Sequence, residues 1–495
     1  MNIVLLSGGS GKRLWPLSND VRSKQFIKIF KGKDDDRESM VQRVYHQIKK
    51  IDADATVTIA TAKTQVSAIH NQLGNGVGIS VEPCRRDTFP AIALATAYLH
   101  DVQGVGEEEA VVVCPVDPYV EDDYFEALKA LGEQAEKGEA NLVLMGIEPT
   151  YPSEKYGYII PADKEQVSSV KTFKEKPDEE TAKKYIAQGA LWNGGVFAYK
   201  LKYVLNKAHE LLDFKDYADL FAKYDTLEKI SFDYAVVEKE DNIQVMRFAG
   251  EWKDLGTWNT LTEAMGESSV GNVIENDTNV NVHIVNELDV PVLCMGLKDV
   301  IVSASPEGIL VADKEKSAQI KGYVDKLDNQ IMYAEKSWGS FRVMDVEDGS
   351  MTIKVILNPG HKMNYHSHEH RSEVWNIISG NGTVIVDGKK RDVSAGDVIE
   401  LPAGCKHTVI AETELRKIGE YYYGQFLSGG QIEPEILEAC QSAKAHYDEA
   451  AHAQLEIDRI RAAEAAQAVT TASAGPVCPS CGTENTAGTK FCRQC

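Results

Sequence analysis

The pattern of apolar and polar residues divides the chain into a first part of alternating strands and helices and a later part of strands. Residues 3–6 form a short continuous apolar run, which predicts a strand buried on both faces of a parallel sheet. Comparable runs predict strands over 57–60, 110–114 and 142–146, with helices between them, for example over 91–99 and 123–137. This alternation predicts an α/β fold with a Rossmann-like sheet and crossover helices up to about residue 265.

The pattern changes after residue 268. Short apolar runs at 280–285, 290–293, 300–302 and 309–311 are separated by polar, Gly and Pro turns and predict a β-rich connector, with a few coils of a β-helix. Residues 336–428 alternate as in an all-β barrel, and 434–469 are rich in Ala and Glu, which predicts a long helix. The predicted domains are therefore 1–268, 269–335, 336–428, a helix and linker at 429–475, and a small tail at 476–495.

Composition narrows the classes of function. A chain of 495 residues, 43% hydrophobic and 26% charged, is too long for one core, so two to four domains are expected. The formal net charge of −22 argues against a nucleic-acid partner, which requires clustered Lys and Arg. We find neither a signal peptide nor an apolar run long enough to span a membrane, so a cytoplasmic protein without a membrane partner is expected.

The candidate chemistry begins directly after the first strand. Gly8, Gly9 and Gly11 allow a sharp turn whose N–H groups can approach an anion, and Arg13 and Lys24 supply cations for phosphate oxygens. The spacing is neither that of a Walker loop nor G-x-G-x-x-G. The turn therefore indicates a nucleoside triphosphate site, although a glycine-rich turn with a purely structural role has the same local appearance.

The run GGSGKRLWPLS, followed by RSKQF, resembles the signature of the sugar-phosphate nucleotidyltransferases, and within them the mannose-1-phosphate guanylyltransferases. The resemblance implies transfer of GMP from GTP to mannose 1-phosphate, giving GDP-mannose and pyrophosphate by in-line attack. It also implies that Arg13, Lys24 and Lys176 are catalytic. The nucleotide-binding residues that it implies are Leu6, Gly8, Gly9, Gly11, Arg13, Lys24, Glu82 and Asp87.

Asp87 departs from this family, which usually has Asn at the position. Its carboxylate can accept a hydrogen bond from guanine or ribose, or it can cap the following helix. A transferase for another base or another sugar therefore remains an alternative.

Two carboxylates are candidates for Mg²⁺. Asp117 follows the predicted strand at 110–114, and a carboxylate at the carboxyl end of a strand is well placed to hold Mg²⁺ against triphosphate oxygens. Asp254, in WKDLGTW, resembles the second metal carboxylate of the family.

By the same resemblance, Gly157, Glu175, Lys176 and Asn193 bind the sugar phosphate. A further block at 231–239 is expected to support that pocket.

A second constellation lies in the all-β part. His366 and His368 stand two apart, so in a strand they share one face, and Glu373 and His407 follow at the spacing of the two cupin motifs. Three His and one carboxylate suit Fe, Mn, Ni, Co or Zn.

A guanylyltransferase followed by a cupin resembles bifunctional bacterial enzymes that also interconvert mannose 6-phosphate and fructose 6-phosphate. However, Val374 replaces the His that commonly follows the metal-site Glu in that family. A cupin that only binds a sugar or dimerises is therefore the alternative. Since cupins often pair sheet to sheet, a homodimer is expected.

The tail carries two C-x-x-C pairs, Cys478 with Cys481 and Cys492 with Cys495, which predict a zinc ribbon with a structural Zn²⁺. A tail of this length depends on the metal for folding. The alternative is an oxidised or disordered tail. The closed site favours a structural or partner-binding role, and the cupin and ribbon together could form a scaffold that recruits the enzyme.

Overall fold

A computed structural model describes residues 1–9, 12–19, 21–32, 36–327, 331–347 and 349–423. The chain divides into two compact units, the first from Met1 to Val343 and the second from Met344 onward. Gly11, the predicted helix after residue 428 and the four cysteines of the predicted ribbon lie outside the described residues. Within the described part, no helix is long and apolar enough to cross a bilayer.

The first unit is built around a nine-stranded mixed sheet. The strands of its first 268 residues are β1 (Asn2–Ser7), β2 (Phe30–Lys31), β3 (Arg37–Glu38), β4 (Thr56–Ala62), β5 (Gly78–Glu82), β6 (Ala110–Pro115), β7 (Pro118–Val120), β8 (Leu142–Ile147), β9 (Tyr158–Pro161), β10 (Val167–Lys174), β11 (Leu191–Lys200), β12 (Ile243–Phe248) and β13 (Trp252–Asp254). The sheet order is β5-β4-β1-β6-β11-β8-β12-β10-β9, and β7 pairs with β13 apart from it.

Helices cover both faces of this sheet. They are α1 (Met40–Ile51), α2 (Val66–Leu73), α3 (Thr88–Asp101), α4 (Asp122–Lys137), α5 (Glu179–Ala187), α6 (Leu201–Leu211), α7 (Tyr217–Lys223), α8 (Phe232–Ala235) and α9 (Trp258–Ala264). In β1, Ile3 and Leu5 belong to the core on one face and Val4 to the core on the other. This two-sided burial explains why the strand is continuously apolar.

The predicted α/β architecture is confirmed, and the sheet is mixed. β1 pairs in parallel with both β4 and β6, whereas β11 runs antiparallel to β6 and β8. The parallel strands β1, β4, β5 and β6 all end at one edge of the sheet, and the predicted nucleotide-binding residues lie at or after the ends of β1 and β5.

The rest of the first unit is rich in strands, as predicted. It contains β14 (Ser269–Gly271), β15 (Val273–Glu275), β16 (His283–Asn286), β17 (Val292–Cys294), β18 (Val300–Ser305), β19 (Gly308–Asp313), α10 (Lys321–Val324), β20 (Tyr333–Lys336) and the start of β21 (Gly339–Glu347). β14, β16 and β18 pair in parallel, and so do β15 and β17. Such stacking of successive strands is the arrangement expected for coils of a β-helix.

The second unit is all-β in its described part. It comprises β22 (Ser350–Leu357), β23 (Arg371–Ser379), β24 (Asn381–Val386), β25 (Lys389–Ser394), β26 (Val398–Leu401), β27 (His407–Ala411) and β28 (Leu415–Tyr423). β22, β28, β23 and β26 form one sheet in this order, and β25, β24 and β27 form another. In β22, Ile353, Val355 and Leu357 are buried at every second position, as the alternating pattern in the sequence predicts, whereas β23 is buried on both faces from Ser372 to Trp375.

Candidate active site and candidate metal centre

A cleft opens where the glycine turn leaves β1. It is lined by Gly8, Gly9, Lys12, Arg13, Lys24, Asp117, Asp254, Gly256 and Lys321. The structure therefore brings together six residues that the sequence assigned to nucleotide or metal binding and that lie up to 246 positions apart, from Gly8 to Asp254. Lys12, Gly256 and Lys321 had no predicted role.

Polar side chains hold the glycine turn in place. The backbone of Gly9 has φ = +111°, a conformation that favours glycine. Its carbonyl accepts hydrogen bonds from Ser23 Oγ at 3.0 Å and from Gln65 Nε2 at 3.2 Å. Gln25 Nε2 donates to the Ser7 carbonyl at 3.1 Å. Gln65 stands on a segment far along the sequence, so no local motif could have identified it.

The carboxylate of Asp117 is only partly satisfied. Its Oδ2 lies 3.1 Å from Lys24 Nζ, whereas its Oδ1 is buried and has no hydrogen-bond partner among the described residues. Burial and the nearby Asp254 carboxylate raise the pKa of Asp117, while Lys24 opposes this shift. Asp254 is aligned with Pro118 in the pairing of β13 with β7, which accounts for its closeness. Two carboxylates with an unsatisfied oxygen fit a divalent cation.

The predicted sugar-phosphate residues also come together. Asn193 Nδ2 donates to Asp233 Oδ1 at 2.6 Å, and Lys176 forms an ion pair with Glu175. A Cβ on Gly157 would overlap Glu175 Oε2, so only glycine leaves room for this carboxylate. Burial, followed by the charge of Glu175, raises the pKa of Asp233 to about 6. Asp233 is a site residue to which the sequence gave only a supporting place.

Aromatic rings connect this group with the cleft. The ring of Tyr156 lies 5.0 Å from that of Trp192 and 5.4 Å from that of Trp252, measured between centroids. Trp192 precedes Asn193, and Trp252 lies two residues before Asp254. The predicted sugar-phosphate residues and the carboxylate pair are therefore neighbours in one region of the first unit.

Three of the residues predicted to bind the nucleotide, Leu6, Glu82 and Asp87, do not line this cleft. Glu82, at the end of β5, is buried and accepts a hydrogen bond from Tyr224 O–H at 2.8 Å. Asp87 has φ = +69° and its carboxylate accepts from Thr88 N at 2.8 Å, so it caps α3 as one of the two alternatives predicted. The Leu6 carbonyl accepts from Val116 N at 3.2 Å.

The second unit contains a histidine cluster. Ligand nitrogens of His366, His368 and His407 lie within 4.8 Å of one another, and His366 and His407 exchange two backbone hydrogen bonds. His407 is buried, and its Nε2 has no partner among the described residues. Burial lowers the pKa of His407, and burial together with Arg371 lowers that of His368 to about 4. Three clustered imidazoles, one of them buried with an unpartnered Nε2, fit a divalent metal.

Glu373, predicted as the fourth ligand, lies outside this cluster. Its Oε1 accepts from Arg371 Nε at 2.8 Å, and its Oε2 accepts from Trp375 Nε1 at 2.6 Å. The group that the structure assembles therefore consists of three His, with Glu373 held beside it at 3.2 Å from His368 Nε2. Lys417 is fully buried, with its Nζ 3.5 Å from the centre of the Trp375 ring.

Comparison with known proteins agrees with the two folds described above. Residues 2–269 match the nucleotidyl transferase family and residues 353–416 match the cupin domain family. The chain belongs to the nucleotidyl transferase family, and a cupin domain follows the transferase domain in the sequence.

Individual relatives resemble most of the chain. A putative mannose-1-phosphate guanylyltransferase of Vibrio cholerae is 28% identical over 442 residues, which is 82% of this chain and 93% of that protein. The alginate biosynthesis protein AlgA of Pseudomonas aeruginosa is 29% identical over 472 residues, 87% of this chain and 95% of that protein. The crystal structure of a mannose-1-phosphate geranyltransferase from Thermus thermophilus has 28% identity and a TM-score of 0.55, covering 66% of this chain and 99% of that one.

Proposed function

We propose that the first unit transfers GMP from GTP to mannose 1-phosphate, giving GDP-mannose and pyrophosphate. The observation that carries this proposal is the cleft in which the glycine turn, four cationic side chains and two carboxylates meet, next to the predicted sugar-phosphate residues. The choice of guanine as the base and of mannose as the sugar rests on the names of the relatives, which are mannose-1-phosphate guanylyltransferases.

In the proposed reaction, an oxygen of the sugar phosphate attacks the α-phosphorus of GTP. The new P–O bond forms as the bond from the α-phosphorus to the bridging oxygen breaks, and pyrophosphate leaves with the electron pair. A phosphate monoester loses its second proton near pH 6, so the attacking oxygen is already ionised and requires no general base. The protein therefore acts by positioning and by neutralising charge.

The chain divides this work among its residues. Asp117 and Asp254 would hold Mg²⁺, which supplies charge neutralisation on the phosphate oxygens. Arg13 and Lys24 line the cleft and would contact the phosphates of the nucleotide, and Lys176 would bind the sugar phosphate. Asn193 and Glu175 would bind sugar hydroxyl groups.

The first test is pyrophosphate release with Mg²⁺. GTP, ATP, dTTP and UTP are each combined with mannose 1-phosphate and with glucose 1-phosphate. We expect the highest kcat/KM for GTP with mannose 1-phosphate. A preference for another pair would retain the mechanism and reject the proposed substrates.

The histidine cluster supports a second activity. We propose that the cupin holds a divalent transition metal on His366, His368 and His407, and that it interconverts mannose 6-phosphate and fructose 6-phosphate. The metal would polarise the substrate carbonyl, and Arg371, next to His368 and paired with Glu373, would share its charge with the phosphate. Metal-loaded protein that fails to convert fructose 6-phosphate would reject the isomerase and leave a sugar-binding or scaffolding cupin.

Three further proposals concern the tail and the assembly of the chain. The tail cysteines would hold a structural Zn²⁺, which elemental analysis of the wild type and of a Cys478→Ser, Cys481→Ser variant would test. The proposed homodimer is tested by sedimentation equilibrium. A chain that ends at residue 429 tests for a partner of the ribbon. We expect this shortened chain to retain full transferase kinetics and to lose the partner in pull-down experiments.

A further inference from the structure

Lys321 lines the nucleotide cleft although it belongs to the segment after the β-helix-like coils. It opens α10, is exposed, and faces the same space as Gly9, Arg13 and Lys24. α10 contacts the short 3₁₀ helix Lys12–Leu14, which follows the glycine turn. The position of Lys321 beside the turn is thus set by packing.

Several contacts fix the same segment to the signature loop. Arg22 donates through both terminal nitrogens to the Glu287 carboxylate at 2.7 and 2.8 Å. Ser305 Oγ donates to the Pro16 carbonyl at 2.6 Å. Lys12 Nζ lies 3.4 Å from Asp325, one turn along the chain from Lys321. These contacts keep α10 at the mouth of the cleft.

The charges of the cleft are unequally compensated. Lys24 is paired with Asp117, and Lys12 with Asp325. Across the residues that the structure describes, no acidic side chain pairs with Arg13 or Lys321. Two uncompensated cations on one side of a cleft suit a polyphosphate, whose charge they would neutralise on binding.

We propose that Lys321 is a substrate-binding residue that contacts the β- and γ-phosphates of the nucleoside triphosphate and the pyrophosphate that leaves. This inference rests on the proposed transfer reaction and adds the residue that receives the leaving group. The predicted sugar-phosphate residues lie on the side of the carboxylate pair where Tyr156 and Trp252 pack, whereas Lys321 lies at the glycine turn. The bridging oxygen that takes the electron pair would therefore depart toward Lys321, whose ammonium group donates a hydrogen bond to the pyrophosphate.

Lys321→Ala tests the proposal in the full chain. We expect KM for GTP, and KM for pyrophosphate in the reverse reaction, to rise about tenfold or more, the scale of one charge-assisted hydrogen bond. KM for mannose 1-phosphate should stay within about twofold of the wild-type value, since the sugar-phosphate residues are unchanged. Lys321→Arg retains the charge and should recover most of the affinity.

Lys316→Ala is the matched control, because Lys316 is an exposed lysine of the same segment that does not line the cleft. If KM for GTP is the same in Lys321→Ala and Lys316→Ala, the inference is overturned. Calorimetric titration of the variants with pyrophosphate and Mg²⁺ separates the two proposals. Weakened pyrophosphate binding in Lys321→Ala alone supports the role of Lys321 even where the panel rejects GTP and mannose 1-phosphate, and equal binding overturns it.

Discussion

Asp117 holds one carboxylate oxygen against Lys24 and leaves the other buried without a partner among the described residues. We expect Asp117→Asn to lower kcat by about a hundredfold or more, because the amide cannot supply the charge that a cation site requires. The melting temperature should not fall, since the amide removes the cost of burying a charge, which outweighs the lost ion pair with Lys24. Steady-state kinetics and scanning calorimetry on the same preparation check both parts. Turnover close to wild type would contradict the assignment of Asp117 to the metal.

Asp233 predicts a pH dependence of stability. Its folded-state pKa is about 6 against an ordinary value of 3.8, so its contribution to stability is full below about pH 4 and is lost as the pH rises through 6. Asp233→Asn accepts the same hydrogen bond from Asn193 but does not ionise. The difference in melting temperature between variant and wild type should therefore become more positive from pH 4 to pH 6 and stay constant above pH 7.

The exposed Asp277→Asn serves as the control for this prediction, because it removes an equal charge away from the site. A profile for Asp233→Asn that matches that of Asp277→Asn at every pH would contradict the raised pKa.

Gly157 predicts a selective loss of sugar-phosphate binding. In Gly157→Ala the new Cβ would overlap Glu175 Oε2 and lie 3.0 Å from Phe173 Cζ, so Glu175 must move. We expect KM for mannose 1-phosphate to rise about tenfold, with the affinity for GTP unchanged by calorimetry. Gly76→Ala is the control, since no atom lies within 4 Å of a Cβ at Gly76. Equal effects on the two substrates would reject the assignment of Gly157.

For single residues, the sequence identified candidate site residues that belong to compact motifs. It did not identify those whose role depends on partners far along the chain. Gly9, Lys24 and Asp117 could be selected because their motifs are local, and the structure brings them to one cleft. Gln65 and Lys321 could not, because their closeness to the turn depends on tertiary packing. The pattern of His and Glu in the cupin motifs likewise gave no signal that Arg371 and Trp375 engage Glu373.

Among the elements, the link between the signature loop and the β-helix-like coils has the largest expected effect on stability. Arg22 is buried with its guanidinium on Glu287 and 5.0 Å from the centre of the Tyr333 ring. Arg22→Met leaves Glu287 unpaired, and we expect a loss of about 3 kcal/mol in the first unit. Since Lys24 is two residues away, KM for GTP should rise as well.

A double-mutant cycle supplies the control for Arg22. Arg22→Met with Glu287→Leu removes both charges, so it should be more stable than Arg22→Met alone in calorimetry. Additive losses would show that the two side chains contribute independently.

The elements themselves were largely predictable, since their apolar runs are long and bounded by turns. The predicted strands at 57–60 and 110–114 are extended by the structure to Thr56–Ala62 and Ala110–Pro115. The sequence did not predict the direction of each strand or the order of the strands in the sheet. β11 is inserted antiparallel between β6 and β8, and this depends on pairing between segments about eighty residues apart, which hydrophobic period does not encode.

For the whole molecule, the two sites predict separable functions. Each site is assembled within its own compact unit. We therefore expect His366→Ala to lower the metal content measured by elemental analysis and to leave guanylyl transfer unchanged. The matched control is His361→Ala, an exposed His of the same unit outside the cluster. Loss of transfer in His366→Ala alone would show that the two units are coupled.

The contacts between the loop and the β-helix-like coils also have a consequence for biosynthesis. Glu287 and Ser305 are separated from Arg22 and Pro16 by 265 and 289 residues. At about 5–20 residues per second, a ribosome needs roughly 10–60 s to add that length of chain. By the end of this interval the growing polypeptide carries all strands of the nine-stranded sheet, whereas Glu287 and Ser305, the partners of Arg22 and Pro16, are only then being added. The contacts of the loop with the β-helix-like coils therefore form late in translation, after all strands of that sheet have been made.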